Sequence, residues 1–124
     1  MQNQSFGMYM RSLRQSRTPV VTQEALANAV GRSKMTISQF EQGKNAPPQG
    51  ELLDRIVTAL QLDGEEESRF RFLAAESRRT IPGDIKDYFF QHPAICDVIR
   101  AAQKAGVDDA TWLRLASSFT KDAD

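Results

Sequence analysis

Apolar residues along this chain recur at steps of three and four positions, which is the spacing of amphipathic helices. No segment alternates apolar and polar residues over the length of a strand. Glycine, proline and small polar residues interrupt the helical spacing at short intervals, as connecting turns do. The pattern therefore predicts an all-helical chain of about eight helices joined by short connections.

Five of the predicted helices lie in the first two-thirds of the chain. Their predicted ranges are 5–16, 23–30, 33–42, 49–62 and 63–79. Thr22 and Ser33 are expected to cap two of them, because a side-chain oxygen at the N-cap accepts a hydrogen bond from a free backbone N–H. Gly31 and Gly43 are expected to end two helices, since glycine adopts the left-handed conformation without steric cost.

Three further helices are predicted beyond a hinge at residues 80–83. Ile85, Tyr88 and Phe89 share one face of the first of them. Pro93 suits the first position of the second helix, where its missing N–H costs nothing. Asp108 is expected to cap the third. We therefore predict two parts, a domain of residues 1–79 and a helical segment of residues 80–124.

Five aromatic residues between positions 70 and 90 do not all fit one buried face. Phe70 shares a face with Leu73, whereas Phe72 points about 200° away from it. Phe90 likewise lies off the face of Tyr88 and Phe89. Two interpretations stay open: Phe72 and Phe90 dock the C-terminal helices onto the fifth helix, or they form a surface for a second copy or another protein.

Composition and cysteine content are those of an ordinary globular protein in a reducing compartment. Of 124 residues, 40% are hydrophobic and 26% charged, and Cys96 is the single cysteine. No apolar run reaches the length of a membrane span, and the N-terminal residues lack a signal-peptide pattern. We therefore expect a cytoplasmic protein without membrane contact, disordered only from Thr120 onward.

The charges are unevenly distributed, although the net charge is zero. Residues 1–50 carry six basic and two acidic side chains, whereas residues 51–79 and 80–124 each carry five basic and seven acidic ones. A basic N-terminal part beside an acidic remainder is typical of a protein with one face toward phosphates. A surface of solvated charges would give the same balance, so other features must decide whether this part of the chain binds nucleic acid.

The second and third predicted helices have the residues that a tight helix-turn-helix needs. Gly31 permits the turn, and Ala27 is small where the next helix approaches. Apolar residues converge on a shared interior at Leu26, Val30, Ile37 and Phe40. A rotation of about 100° per residue then turns one set of third-helix side chains outward. That set is Met35, Gln39 and Gln42, with Thr36 and Ser38 on the flanks. Such a polar face without carboxylates suits the major groove of DNA.

These residues resemble the Xre/Cro-type helix-turn-helix of phage-repressor relatives. The positions that carry the resemblance are Gln23, Ala27, Gly31, Ile37-Ser38, Glu41 and Gly43. The resemblance implies a compact five-helix, lambda-repressor-like domain over roughly residues 5–79, followed here by a small bundle of about three helices. It also implies a sequence-specific DNA-binding regulator.

The resemblance implies roles for individual residues. Gln23 is expected to contact a phosphate. The expected base-reading surface consists of Ser33, Lys34, Met35, Thr36, Ser38 and Gln39. Lys34 suits guanine acceptors, Gln39 suits a bidentate contact to adenine, and Met35 or Thr36 suits a thymine methyl. Gln42, Lys44 and Asn45 are expected to approach the phosphates after the recognition helix.

The family pattern also implies an ion pair that belongs to the scaffold rather than to DNA contact, between Arg14 and Glu41. The chain departs from the pattern twice. The link from Gln15 to Thr22 is about two residues longer than usual, which alters a surface loop. Arg32 stands where an apolar residue is usual, so its side chain is expected either to approach the phosphates or to extend into water.

The C-terminal segment resembles, more loosely, the tails of Xre-type regulators found beside ImmA/IrrE-type metallopeptidases or toxin partners. The resemblance runs through Asp84 to Phe89, His92-Pro93, Ile99 to Ala102, Gly106 and Trp112. It implies a regulatory protein partner, a metallopeptidase or a toxin, that binds or cleaves this segment. An antitoxin or adaptor that mainly captures such a partner through residues 80–124 is therefore the competing interpretation.

The sequence thus favours a homodimeric autorepressor on a double-stranded operator with an inverted repeat, because two-fold symmetry doubles the short site that one motif reads. Activation of transcription by the same domain stays open as an alternative to repression. RNA binding is disfavoured, because no aromatic stacking platform accompanies the basic residues. No nucleophile–base pair, metal-ligand spacing or phosphate-binding glycine loop is present, so we expect no enzyme, no cofactor and no metal site.

Overall fold

The computed structural model of the chain describes residues 5–120. Within that range the chain forms eight α-helices and no strand, as the sequence predicts. They are α1 (Phe6–Gln15), α2 (Gln23–Val30), α3 (Lys34–Gln42), α4 (Glu51–Ala59), α5 (Gly64–Glu76), α6 (Gly83–Gln91), α7 (Ala94–Ala105) and α8 (Asp109–Thr120). Disorder was expected from Thr120 onward; Thr120 is instead the last residue of α8, and the residues after it lie outside the described part of the chain.

Local capping explains where the N-terminal helices begin and end. Thr22 and Ser33 each accept a hydrogen bond from a backbone N–H of the first turn that they precede. Gly31 and Gly43 end α2 and α3 with φ angles of 71° and 76°. Both pairs of predictions are confirmed, because capping depends on residues close together in sequence.

Two predicted helices are longer than the structure shows. The helix predicted over 49–62 is α4, which ends at Ala59 because Leu60 forms its C-cap and Gln61 adopts a φ of 54°. The helix predicted over 63–79 is α5, which ends at Glu76 before Arg79 with a φ of 51°. Leu60 is buried all the same, so an apolar residue at helical spacing need not be helical.

The chain divides into two compact units, one ending at Lys86 and the other beginning at Asp87 within α6. In the first unit, α1 packs against α3 and α5, and α2 packs against α3 and α4. The core between them contains Met10, Leu26, Val30, Ile37, Ile56 and Phe70, all with no exposed surface. The ring centroids of Phe6 and Phe70 lie 4.8 Å apart inside this core.

The second unit is built differently, because none of the described residues of α6, α7 and α8 is buried. Pro93 precedes α7 as its N-cap, one position earlier than predicted, although its backbone angles are helical. Asp108 accepts hydrogen bonds from the backbone N–H and hydroxyl of Thr111 at the start of α8, which hold the pKa of the Asp108 carboxyl below its usual value. The predicted cap is thus present.

Phe72 and Phe90, the two aromatic residues that fit no predicted buried face, are open to solvent. Phe72 is 55% exposed on α5 and Phe90 is 66% exposed on α6, whereas Phe70 is fully buried. The sequence correctly separated the face of Phe70 from that of Phe72. Both interpretations of the two rings, docking of the C-terminal helices or a surface for another chain, stay predictions.

Gly7 brings α1 directly against the backbone of α3. A Cβ atom at this position would lie 2.4 Å from the carbonyl oxygen of Phe40 and 2.5 Å from that of Glu41. Backbone atoms cannot rotate away as a side chain does, so the two helices would have to separate. The absence of a side chain at Gly7 therefore sets the distance between α1 and α3.

We expect Gly7→Ala to lower the free energy of unfolding by about 1–3 kcal/mol, the usual cost of overpacking. Urea unfolding followed by circular dichroism measures the loss. Gly83→Ala is the matched control, because a Cβ there meets no atom within 4 Å. A similar loss in both variants would contradict the close approach at Gly7.

Candidate nucleic-acid interface

A network of hydrogen bonds around Glu41 joins three helices of the first unit. Arg14 donates from Nε to Glu41 Oε2 at 2.8 Å and from Nη2 to Oε1 at 2.9 Å. Gln23 Nε2 donates to Glu41 Oε1 at 3.0 Å, and Arg14 Nη1 donates to the carbonyl oxygen of Val21 at 3.0 Å. These bonds therefore hold four parts of the chain together at one point: α1, the connection to α2, the first residue of α2 and the last turn of α3.

This ion pair is withdrawn from solvent. The side chains of Arg14 and Glu41 are 8% and 3% exposed. Each guanidinium nitrogen of Arg14 has an acceptor, and both carboxylate oxygens of Glu41 have donors. Charges that are paired and hydrogen-bonded in this way can be kept in an interior. The structure thus joins the two residues that the family resemblance paired, and both side chains are buried.

Burial of Glu41 leaves the solvent-facing side of α3 without a carboxylate. Met35, two residues into the helix, is 68% exposed. Ser33 and Lys34 are exposed at the start of α3, and Gln42 is exposed at its end. Thr36, Ser38 and Gln39 are half-buried along its sides, while Ile37 and Phe40 face the core. The rotation predicted from Ile37 is therefore correct for Met35 and Gln42, whereas Gln39, which was predicted to point outward, is half-buried like the flanking Thr36 and Ser38.

Side chains on this face are tied to one another by hydrogen bonds. Gln42 Nε2 donates to Ser38 Oγ at 3.0 Å, and Asn45 Nδ2 donates to Gln39 Oε1 at 2.9 Å. The hydroxyls of Ser33 and Thr36 lie 3.0 Å apart at the helix start. Because these bonds fix rotamers, less side-chain entropy remains to be lost when a ligand binds the face.

An open groove of 880 Å³ lies between the end of α1, the start of α2 and one side of α3. Four of the predicted DNA-contacting residues line it, namely Gln23, Lys34, Ser38 and Gln42. Arg11 and Asn28 also line the groove and were absent from the prediction. Arg11 is exposed and precedes Arg14 by one helical turn. That spacing, which places both arginines on one side of α1, could have identified Arg11 from the sequence. Glu24 contributes an acidic side chain to the same lining.

The remaining predicted residues lie at the two ends of α3. Arg32 extends into solvent, and its Nη1 donates to the carbonyl oxygen of Gly31 at 3.1 Å. Lys44 and Asn45 are exposed directly after the Gly43 cap. Gln23, expected to contact a phosphate, donates its side-chain amide to Glu41. That bond between residues 18 positions apart was not visible in the sequence.

The described residues contain neither a metal-ligand cluster nor a membrane-spanning helix. From residue 5 to residue 120, no group of three or more His, Cys, Asp or Glu side chains is placed to hold a metal ion. Over the same part of the chain, no helix is both long and apolar enough to cross a membrane. His92 is exposed, with its ring stacked on Tyr88 and Nδ1 2.8 Å from the Tyr88 carbonyl oxygen.

Comparison with known proteins matches one family and no individual relative. Neither the curated proteins nor the solved structures contain a match to this chain. Residues 5–70 match the family described as "Helix-turn-helix domain", and this range is more than half of the 124 residues. It contains α1 to α4, the first half of α5, the Glu41 network and the exposed face of α3. The chain therefore belongs to the helix-turn-helix domain family of DNA-binding regulators.

Proposed function

We propose that this protein is a homodimeric transcriptional repressor of the Xre/Cro type that binds an inverted-repeat operator through α3. The observation that carries the proposal is the exposed face of α3, which is polar and free of carboxylates because Glu41 is buried. A helix in the major groove needs such a face, since phosphates repel an exposed carboxylate and base edges need donors and acceptors.

Within this proposal, the residues divide by the part of DNA they contact. Lys34, Met35 and Gln39 read base edges from the start and outer side of α3, with Ser33, Thr36 and Ser38 beside them. Gln42 and Lys44 contact phosphates at the end of α3, and Arg32 does so at its start. Phosphate contacts supply affinity that falls with salt, whereas base contacts choose the sequence.

The homodimer follows from the length of a readable site. One recognition helix covers only a few base pairs, and two copies related by a two-fold axis cover half-sites about 34 Å apart. We assign dimerisation, or capture of a regulatory protein, to residues 80–124. What supports this assignment is that α6, α7 and α8 bury no residue of their own, while Val98 and Ile99 of α7 are about half exposed.

We expect Lys34→Ala to weaken binding to the specific operator by roughly 5- to 150-fold, the equivalent of about 1–3 kcal/mol for one good base contact. The DNA upstream of the protein's own coding sequence is the first duplex to test, against a scrambled duplex over a salt series. Affinity for the scrambled duplex is expected to change far less, because it rests on phosphate contacts.

Lys104→Ala is the matched control, because it removes the same charge from the exposed side of α7. Equal losses in the two variants would mean that Lys34 contributes only general charge. Equal, weak and steeply salt-dependent binding of the unmodified protein to both duplexes would contradict operator recognition at that DNA.

A further inference from the structure

Met35 is an exposed methionine on the surface that we assign to base reading. It is the second residue of α3, and 68% of it is exposed. No hydrogen bond among the described side chains involves it, whereas Ser33 and Thr36 beside it are joined to each other. Its thioether sulfur is therefore accessible to small molecules in solution.

The packing of α3 in the first unit does not depend on the Met35 side chain. Ile37 and Phe40 of the same helix are buried in the core, and Glu41 is buried in its ion pair. A chemical change confined to Met35 therefore leaves the core contacts of α3 intact. The same change at Met10 would disturb the core, because the Met10 side chain has no exposed surface.

Hydrogen peroxide converts an accessible methionine into its sulfoxide. The thioether sulfur attacks one oxygen of the peroxide, and the O–O bond breaks as the S–O bond forms. The departing hydroxide takes the proton from the transferred oxygen and becomes water. The sulfur loses two electrons and the peroxide gains them. A flexible apolar side chain thereby becomes polar, with an oxygen that accepts hydrogen bonds.

Met35 is the one side chain on the outer face of α3 that peroxide oxidises, because hydroxyl, ammonium and amide groups do not react in this way. The other sulfur atoms of the described residues lie elsewhere. Met8 is 61% exposed on α1 and does not line the groove beside α3, and Met10 is buried. Cys96 belongs to the second unit. Oxidation that alters the reading face is therefore oxidation of Met35.

We propose that Met35 is an oxidation site at which hydrogen peroxide weakens operator binding without unfolding the protein. The inference rests on the proposed function, because it presumes that the start of α3 lies in the major groove. An unmodified methionine there packs against an apolar edge such as a thymine methyl group. The sulfoxide oxygen must give up its hydrogen bonds to water, and a methyl group offers none in return.

The experiment separates a partly oxidised sample of the full chain by its binding to DNA. The operator is a duplex that the unmodified protein has selected from a random pool, and it is supplied in limiting amount. A thiol reductant added after the peroxide restores Cys96, and sulfoxides stay in place. Peptide mass spectrometry then measures the sulfoxide fraction of each methionine in the bound and the free protein.

We expect the sulfoxide of Met35 to be depleted from the bound protein by about tenfold, part of what burial of a whole methionine side chain contributes. The sulfoxide of Met8 is expected to be equal in both fractions, and Met8 is the matched control because its exposure is similar. Met35→Leu keeps an apolar side chain of similar volume that cannot form a sulfoxide. Its operator affinity is expected to be the same before and after peroxide.

Each outcome decides a separate question. Equal distribution of the Met35 sulfoxide between bound and free protein, or equal depletion of the Met8 sulfoxide, overturns the role of Met35 and leaves operator recognition intact. Failure of peroxide to oxidise Met35 under conditions that oxidise Met8 overturns it as well. So does a urea unfolding midpoint that peroxide lowers in the unmodified protein but not in Met35→Leu. A random pool from which the unmodified protein selects no shared sequence overturns the proposed function and this inference together.

Discussion

Replacing Glu41 by alanine is expected to lower the free energy of unfolding by about 3–5 kcal/mol, the typical cost of breaking a buried ion pair. The variant leaves the Arg14 guanidinium in the interior without its anion, since the Arg14 side chain is only 8% exposed. It also removes the acceptor of Gln23 Nε2. Because folded domains are stable by only about 5–15 kcal/mol, the loss is a large fraction of the total.

Urea unfolding of Glu41→Ala and of a matched variant, Glu51→Ala, measures this effect. Glu51 pairs with Arg55 on α4, where both side chains are largely exposed. Its loss is therefore expected to cost no more than about 0.5 kcal/mol. Replacing both partners of the buried pair, as in Arg14→Met with Glu41→Leu, is expected to cost less than Glu41→Ala alone, because no charge is then stranded. Equal destabilisation by Glu41→Ala and Glu51→Ala would contradict the burial of the pair.

Phe70→Ala is expected to destabilise the first unit by about 3–5 kcal/mol, as large aromatic side chains do when they are removed from a core. The ring is fully buried and packs against Phe6, with 4.8 Å between the ring centroids. Removing it loses contacts with α1 and leaves a cavity that the surrounding helices can fill only in part.

Phe72→Ala provides an unusually close control for that variant. It makes the same chemical change on the same helix, two residues away, at a side chain that is 55% exposed. We expect its free energy of unfolding to stay within about 0.5 kcal/mol of the unmodified protein. Equal losses at the two positions would show that Phe72 is covered in solution, as it would be if that ring lay in an interface between two copies.

Local signals made much of the fold predictable. Thr22 and Ser33 cap the residues directly after them, and Gly31 and Gly43 relieve a steric conflict in their own backbone. The burial of Ile37 follows from its three-residue spacing to Phe40 on the same helix. Such features depend on neighbours within a few positions, so they can be read without knowing the tertiary structure.

Features that depend on distant residues were not predictable in the same way. The helical spacing of α4 gave no sign that Leu60 would be buried outside the helix, because burial constrains position and not conformation. Gly7 has no positive φ and follows no turn pattern. Glycine is required there because two carbonyl oxygens, more than thirty residues away in the chain, leave no room for a Cβ atom. The bond between Gln23 and Glu41 likewise requires α2 and α3 to be placed first.

The candidate site shows the same division. The exposure of Met35 and Gln42 was predictable from helical rotation. The hydrogen bond between the side chains of Asn45 and Gln39 was not, because it depends on the return of the chain after Gly43. Arg17 also shows how distant contacts arise, as its Nη2 lies 2.8 Å from Glu66 Oε1 on α5. Spacing identifies candidate side chains, whereas their partners require the folded structure.

The close approach at Gly7 has a consequence for how this protein can change over time. α3 meets α1 at its own backbone carbonyls and through the ion pair of Glu41 with Arg14, while Ile37 and Phe40 are buried in the core. None of these residues lies on the outer face of α3. Substitutions at exposed Met35 or Gln42 therefore cost little stability. Mutation can vary the outer face freely while the scaffold stays constant, so new binding preferences can arise in this lineage without an intermediate that fails to fold.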